Sequence, residues 1–157
     1  MPYGCKSIIN PTLPEIVKSN NKYMKIYLTQ VFDDEGHAAT KISRKIVLGR
    51  SVTLPNLPKG FTNTLHSCEK MYFNNLSNNI KKLILNNPPN LLREEGKLLY
   101  KFGINYSIRC RSLTKYLTRI STDWVLEIAG KENIRKFDKE IGFSDPDKIK
   151  KMFTYLK

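Results

Sequence analysis

The chain has 157 residues, with 27 Lys+Arg against 14 Asp+Glu and a formal charge of +13. That length makes one domain whose core buries about two-thirds of its unfolded surface, and a content of 40% hydrophobic and 10% aromatic residues excludes a disordered polyelectrolyte. No apolar run reaches the length of a membrane span, and Met1 to Cys5 lack a secretory pattern.

Residues 1–19, with Pro2, Pro11 and Pro14, read as an extended N-terminal arm. Lys22 to Phe32 then places Tyr23, Ile26, Tyr27 and Val31 at helical spacing, and Gly36 is suited to close that helix through a left-handed residue. Two strands are expected next, Ala38–Ile42 and Lys45–Val52, with Ile46 and Leu48 on one face and Lys45, Val47 and Gly49 on the other. Residues 53–90 read as an extended helical connection, with a stripe of Leu65, Cys68, Tyr72, Leu76, Ile80, Leu83 and Ile84. A helix from Asn90 to Phe102 follows, with Leu91, Leu92, Leu98, Leu99 and Phe102 inward and Gly103 as its cap.

Ile104–Arg111 alternates, with Tyr106, Ile108 and Cys110 on one side and Ser107, Arg109 and Arg111 on the other. Ser112–Ile120 reads as a basic connection, and Asp123–Ala129 as the returning strand with Trp124, Leu126 and Ile128 as its apolar face. Glu132–Ile141 is helical, Gly142 ends it, and Asp145-Pro146 opens a last helix. The whole is a single α+β domain over 1–157, its sheet mostly antiparallel, with helices on one face and a polar, basic face on the other.

A pI near 9.7 calls for a polyanionic partner, and the bare basic face suits the major groove of double-stranded DNA. Lys41, Lys45, Arg50, Arg109 and Arg111 are the candidate residues of that face, with Lys115 and Arg119 placed for backbone contacts. Single-stranded RNA would need exposed aromatics, and Tyr106 and Trp124 fall on the apolar side of their strands. Cys5, Cys68 and Cys110 form neither a disulfide framework nor a zinc pattern and read as reduced thiols, which places the chain inside the cell, in cytoplasm or nucleoid.

The most informative stretch is Leu28-Thr29-Gln30-Val31-Phe32-Asp33-Asp34-Glu35-Gly36. Three carboxylates crowd the negative end of a helix dipole, where anions are disfavoured unless a cation sits on them. With no thiol or imidazole cluster nearby, a hard divalent ion is the natural candidate. These nine residues resemble the signature of the LAGLIDADG homing endonucleases, with Asp33 as first acid and Glu35 as second. Leu98–Ile104, Trp124–Ile134 and Ile141-Gly142-Phe143 resemble further stretches of its archaeal-type members, so the likeness spans about residues 20–157.

The resemblance implies an αββαββα domain and a site-specific, metal-dependent DNA endonuclease. Glu35 and Lys148 would be catalytic, and Glu35 with the Asp34 backbone carbonyl would hold Mg2+ or Mn2+, with no organic cofactor. One signature per chain implies a homodimer joined through Tyr27, Leu28, Gln30 and Val31, acting on a long near-palindromic site. The alternative the resemblance admits is a descendant that no longer cuts, such as an intron-splicing maturase or a transcription factor; the presence of both acids leans toward the enzyme. Thr29 and Gln30 depart from the small residues usual at their positions.

Overall fold

The computed structural model describes residues 10–54, 69–116 and 119–157. Its elements in chain order are α1 (Glu15–Lys18), α2 (Asn21–Glu35), β1 (Gly36–His37), β2 (Lys45–Thr53), β3 (Lys70–Tyr72), a 3-10 turn (Phe73–Asn75), α3 (Asn78–Leu85), α4 (Asn90–Lys101), β4 (Ser107–Tyr116), β5 (Arg119–Ala129), α5 (Lys131–Glu140) and α6 (Pro146–Leu156). The five strands form one antiparallel sheet in the order β1-β2-β5-β4-β3. The expected α+β class and antiparallel pairing are therefore present.

Strand alternation decides which side of the sheet is buried. The β2–β5 register runs from Lys45 opposite Ala129 to Thr53 opposite Ser121. One face thus collects Ile46, Leu48 and Val52 with Ile120, Trp124, Leu126 and Ile128, all buried. The helices lay their apolar stripes into the same core: Leu28 and Phe32 of α2, Leu92 and Leu99 of α4, Phe137 of α5, and Met152 of α6. Each such side chain contributes roughly 1.5–3 kcal/mol of burial. Phe32, Phe137 and Phe143 stack in series, with ring centroids 5.0 and 5.2 Å apart, and so tie the end of α2 to the segment between α5 and α6.

Several expected punctuation marks stand where the sequence puts them. Gly103 and Gly142 both have positive φ, as does Gly130 between β5 and α5, and Asp145 caps α6 by accepting from the amides of Asp147 and Lys148. Gly36 is a correction. Its φ is −83°, extended rather than left-handed, and its need for glycine is steric: a Cβ there would sit 2.6 Å from the Phe32 carbonyl oxygen.

Four other expectations change. The arm contains the short helix α1 before α2; its residues 1–9 lie outside the described residues. Ala38–Ile42 is no strand. Ala38 and Ala39 are buried, and Thr40 and Ser43 exchange side-chain-to-backbone hydrogen bonds of 3.1 and 3.0 Å that fold the chain into a turn. Within 53–90, Thr53 ends β2, and Lys70–Tyr72 pairs with the edge of β4 instead of continuing a helix, which forms only from Asn78. Positions 55–68 lie outside the described residues. Ser112–Tyr116 and Arg119–Ile120 are strand, so the expected connection shrinks to 117–118, also outside the described residues.

Candidate functional site

The acid-rich end of α2 is where the molecule concentrates its polar contacts, and each of the three acids has a different fate. Asp33 is turned toward α6: its carboxylate accepts from the Ser144 amide at 3.1 Å, the Ser144 hydroxyl and the Asp145 amide at 3.3 Å. It lies just ahead of α6, where a negative charge is favoured. Asp34 is exposed, and both its oxygens accept from the Gln30 side-chain amide at 2.9 and 3.0 Å. Glu35 stays 41% exposed and meets Arg50 through Oε2.

Lys148, expected as a catalytic lysine, is a helix cap in this arrangement. Its Nζ donates to the Phe32 carbonyl at 2.9 Å, which also accepts the Gly36 amide, and to the Asp33 carbonyl, one of the acceptors that a helix C-terminus leaves open. A cation on the carbonyl end also offsets the dipole on which three acids weigh. The cations the sequence calls for are thus partly supplied by the protein, as Lys148 and Arg50. Lys148 reaches the carbonyls just ahead of Asp34 and leaves the Asp34 carbonyl to other partners.

Arg50 belongs to this site and not to the open sheet face, which corrects its expected place. It stands opposite Trp124 and shares the parity of Ile46 and Leu48, so its side chain enters the helix-covered side and is only 10% exposed. One guanidinium nitrogen, Nη1, meets Glu35, and Nη2 donates to Glu95 Oε1 at 2.6 Å. Glu95 is fully buried on α4 and also accepts from the Tyr27 hydroxyl at 2.8 Å. Burial pushes the Tyr27 phenol well above its ordinary range, and Glu95 adds to the shift, so Tyr27 stays a neutral donor. Tyr27 is thereby committed to its own chain. The depth of α4 is set nearby: the Tyr106 ring lies against Gly96, where a Cβ would come within 2.5 Å of it.

Arg111 joins the same site by an irregularity. The β4–β5 register shifts between Cys110 and Ser112, so Ser112 faces Asp123 and Arg111 is the extra residue of a bulge. The regular pairing of Arg109 with Arg111 on one face is therefore broken. Arg111 instead lines a cleft of about 350 Å³ with Glu35, Arg50, Ser51 and Asp123. An exposed carboxylate beside two guanidiniums in one cleft can accept a phosphodiester and a hard cation together. Among the described residues no group of three or more His, Cys, Asp or Glu could hold a metal. Glu35 and the Asp34 carbonyl fit a hard ion as two oxygen donors, and the remaining ligands would have to be phosphate, water or a second chain. Cys110, by contrast, is buried, and burial pushes its thiol up to about 11, which removes it as a nucleophile.

On the open face Lys45 and Arg109 are matched, whereas Lys70, Arg111 and Arg119 form no ion pair among the described residues. Lys45 and Arg109 clasp Glu127 from either side at 2.9 and 2.8 Å, and Arg109 above all holds that carboxyl below its ordinary value. Asp123 accepts from the hydroxyls of Ser51 and Ser112 at 2.7 and 3.0 Å. Arg119 is exposed at the start of β5 on this face, whereas Lys115, opposite Ile120, has the parity of the helix-covered side and is half-buried. Lys41 sits in the 40–44 turn, away from the strands. Trp124 is buried as expected, but Tyr72 of β3 stands 62% exposed with the parity of Ser112, an aromatic on the open face that the helical reading concealed.

Of the expected dimer residues, Leu28 and Val31 are corrected: both are buried in this chain's own core. The outward stripe of α2 is Tyr23, Ile26, Gln30 and Asp34. The residue missed altogether is Glu95. Its signal was present, since it lies at helical spacing with Leu91, Leu92, Leu98 and Leu99 and an acid on a buried stripe demands a cation. No family model, curated protein or solved structure matches this chain.

Proposed function

We infer that the protein is a DNA endonuclease of the LAGLIDADG type, working as a homodimer with one Glu35 from each chain at the centre. The observation that carries this reading is the cleft in which Glu35, the one partly exposed acid of the signature-like helix end that faces guanidinium groups, lies beside Arg50 and Arg111. A basic, strand-built face and a +13 chain suit duplex DNA as substrate. Glu35 and the Asp34 carbonyl would hold Mg2+ or Mn2+, with a scissile phosphate and the second chain completing the shell. When bound, such an ion lowers the pKa of an attacking water and stabilises the leaving oxygen.

The chain's own residues have distinct roles in this scheme. Arg50 fixes the Glu35 carboxylate and is itself fixed by Glu95 and Tyr27, so the acid is presented in one orientation. Arg111 offers its guanidinium to phosphate across the same cleft. Lys148 and Asp33 hold the end of α2 in place rather than touching substrate. The second chain docks along the Tyr23, Ile26 and Gln30 stripe, which is the exposed side of the helix.

Incubation of the protein with a randomised duplex library and Mg2+, beside Glu35→Gln, tests the reading. Recurrent double-strand breaks in a near-palindromic site, lost in the variant, are expected. Sequence-selective retention without cutting would favour the second reading, a descendant kept for binding. That alternative draws on one observation: protein cations already occupy Glu35 and the carbonyls beside it.

A further inference from the structure

More unmatched cations gather on another surface than on the sheet face, where Lys70, Arg111 and Arg119 form no ion pair among the described residues. Lys41 and Arg44 in the 40–44 turn, Lys131 at the start of α5, and Lys150, Lys151 and Lys157 along and after α6 converge on two adjoining clefts of about 400 and 390 Å³. Lys41 and Thr154 line both clefts, which makes the surface continuous. The single acid lining them is Asp147. None of the six cations forms an ion pair among the described residues.

The turn that contributes Lys41 and Arg44 is built rather than loose. The Thr40 carbonyl accepts from the Arg44 amide at 2.8 Å, the Thr40 and Ser43 hydroxyls close the turn, and Arg44 takes a left-handed φ of 51°. A left-handed conformation at a residue with a Cβ costs about 1 kcal/mol or more, and the turn's hydrogen bonds hold it. Six uncompensated like charges on one surface also repel one another. A surface that keeps both costs is explained by a ligand that neutralises several charges at once.

We propose that this turn-and-helix surface is a docking site for the phosphodiester backbone of duplex DNA, and that it supplies most of the salt-dependent affinity. The composition favours backbone over bases, because lysines act as point charges on phosphate while base reading relies on forked or amide side chains. It favours a duplex over a single strand, because the one aromatic lining the clefts, Tyr155, is half-buried with the Lys131 ammonium over one face at 5.7 Å and makes a poor stacking platform. A division of labour follows. The sheet face, whose Lys45 and Arg109 must first release Glu127, discriminates sequence, and the turn-and-helix surface holds on. The proposal rests on duplex DNA being the partner but not on Glu35 chemistry.

The test is a salt series of fluorescence-anisotropy titrations with a short duplex of arbitrary sequence. Three proteins are compared: the unaltered chain, the triple variant Lys41→Gln, Lys150→Gln, Lys151→Gln, and the control Lys45→Gln, Arg109→Gln. With about 0.9 counterions released per phosphate contact, the triple variant should lose nearly 3 from the slope of log affinity on log salt, and roughly tenfold to a hundredfold in affinity at low salt. The control should lose less than half as much. An unchanged slope in the triple variant, a larger loss in the control, or no binding of the unaltered chain to the duplex would each overturn the proposal. Retention by phosphatidylserine vesicles that depends on the three lysines, without duplex binding that does, would also overturn it. Cutting by the unaltered chain and by Glu35→Gln is scored in a separate cleavage assay that does not enter the salt slope, so the two readings fail separately. Circular dichroism on each variant confirms that it is folded.

Discussion

The C-terminal end of α2 and the turn-and-helix surface are both dense in charge, and they are organised in opposite ways. At the end of α2 each charged side chain has a named partner: Glu35 and Glu95 share Arg50, Asp33 holds Ser144 and Asp145, and Lys148 holds two carbonyls. On the turn-and-helix surface six cations have no anionic partner within ion-pair distance among the described residues. Matched charge close to the core specifies a geometry, since breaking it leaves a desolvated group behind. Unmatched charge on a surface specifies nothing inside the protein and remains available to a partner. The contrast predicts that substitutions at the two places act on different observables, stability in one case and binding in the other.

The sharpest way to break the matched region is Arg50→Ala. Glu95, fully buried, would lose its cation, and such a loss costs about 3–5 kcal/mol, read as a lowered midpoint in chemical unfolding. A second removal restores much of it: the double variant Arg50→Met, Glu95→Gln should recover most of the loss, because neither charge is then stranded. Gly96→Ala attacks the same contact through its scaffold. The added methyl would press on the Tyr106 ring at 2.5 Å, and overpacking of this kind costs about 1–3 kcal/mol against a helix-propensity gain of about 1. A thermal melt showing higher stability than the unaltered chain would contradict the packing described for α4.

Asp33→Ala should cost about 1–2 kcal/mol and speed amide hydrogen exchange at Ser144 and Asp145, since their acceptor is removed. The pH dependence on the open face is smaller still. Glu127 has its carboxyl held below the ordinary value of 4.5, chiefly by Arg109, with Lys45 adding and burial opposing. A group depressed in the folded state contributes stability above its unfolded value and loses it as pH falls through the folded value. Stability should therefore fall on acidification below about pH 4.5, and Arg109→Met should flatten that limb in unfolding curves taken across it. Smallest of all, the triple lysine variant of the turn-and-helix surface should change stability by no more than about 0.5 kcal/mol while it alters binding.

What could be read from the chain and what could not follows the same division. Leu92, Leu99, Leu126 and Ile128 announce themselves by period, and all are buried, whereas Leu28, read as an interface residue, is core. Gly103, Gly130 and Gly142 mark element ends because only a residue without a Cβ adopts their backbone cheaply. These are short-range facts, settled within a turn or two of the chain. Lys70–Tyr72 was hidden, since three residues of an edge strand carry no period and their reason to be a strand is the unpaired edge of β4. Arg111 was misplaced because a bulge shifts parity without any mark in composition.

Hydrophobic period, glycine and proline act locally, and for that reason an α+β chain of strongly basic charge, an acid-rich helix end and most of the core were legible in the chain. Which acid meets a guanidinium, and which meets a backbone amide, was settled by packing between distant segments. Arg50 lies 45 residues from Glu95 and reaches both it and Glu35 because β2 threads beneath α2 and α4. Asp33 and Ser144 are 111 residues apart, and the Lys148 ammonium bonds a carbonyl 116 residues away. Charge has no period to read: which cation meets which anion depends on the packing of distant segments, and that packing also left the turn-and-helix cations unmatched.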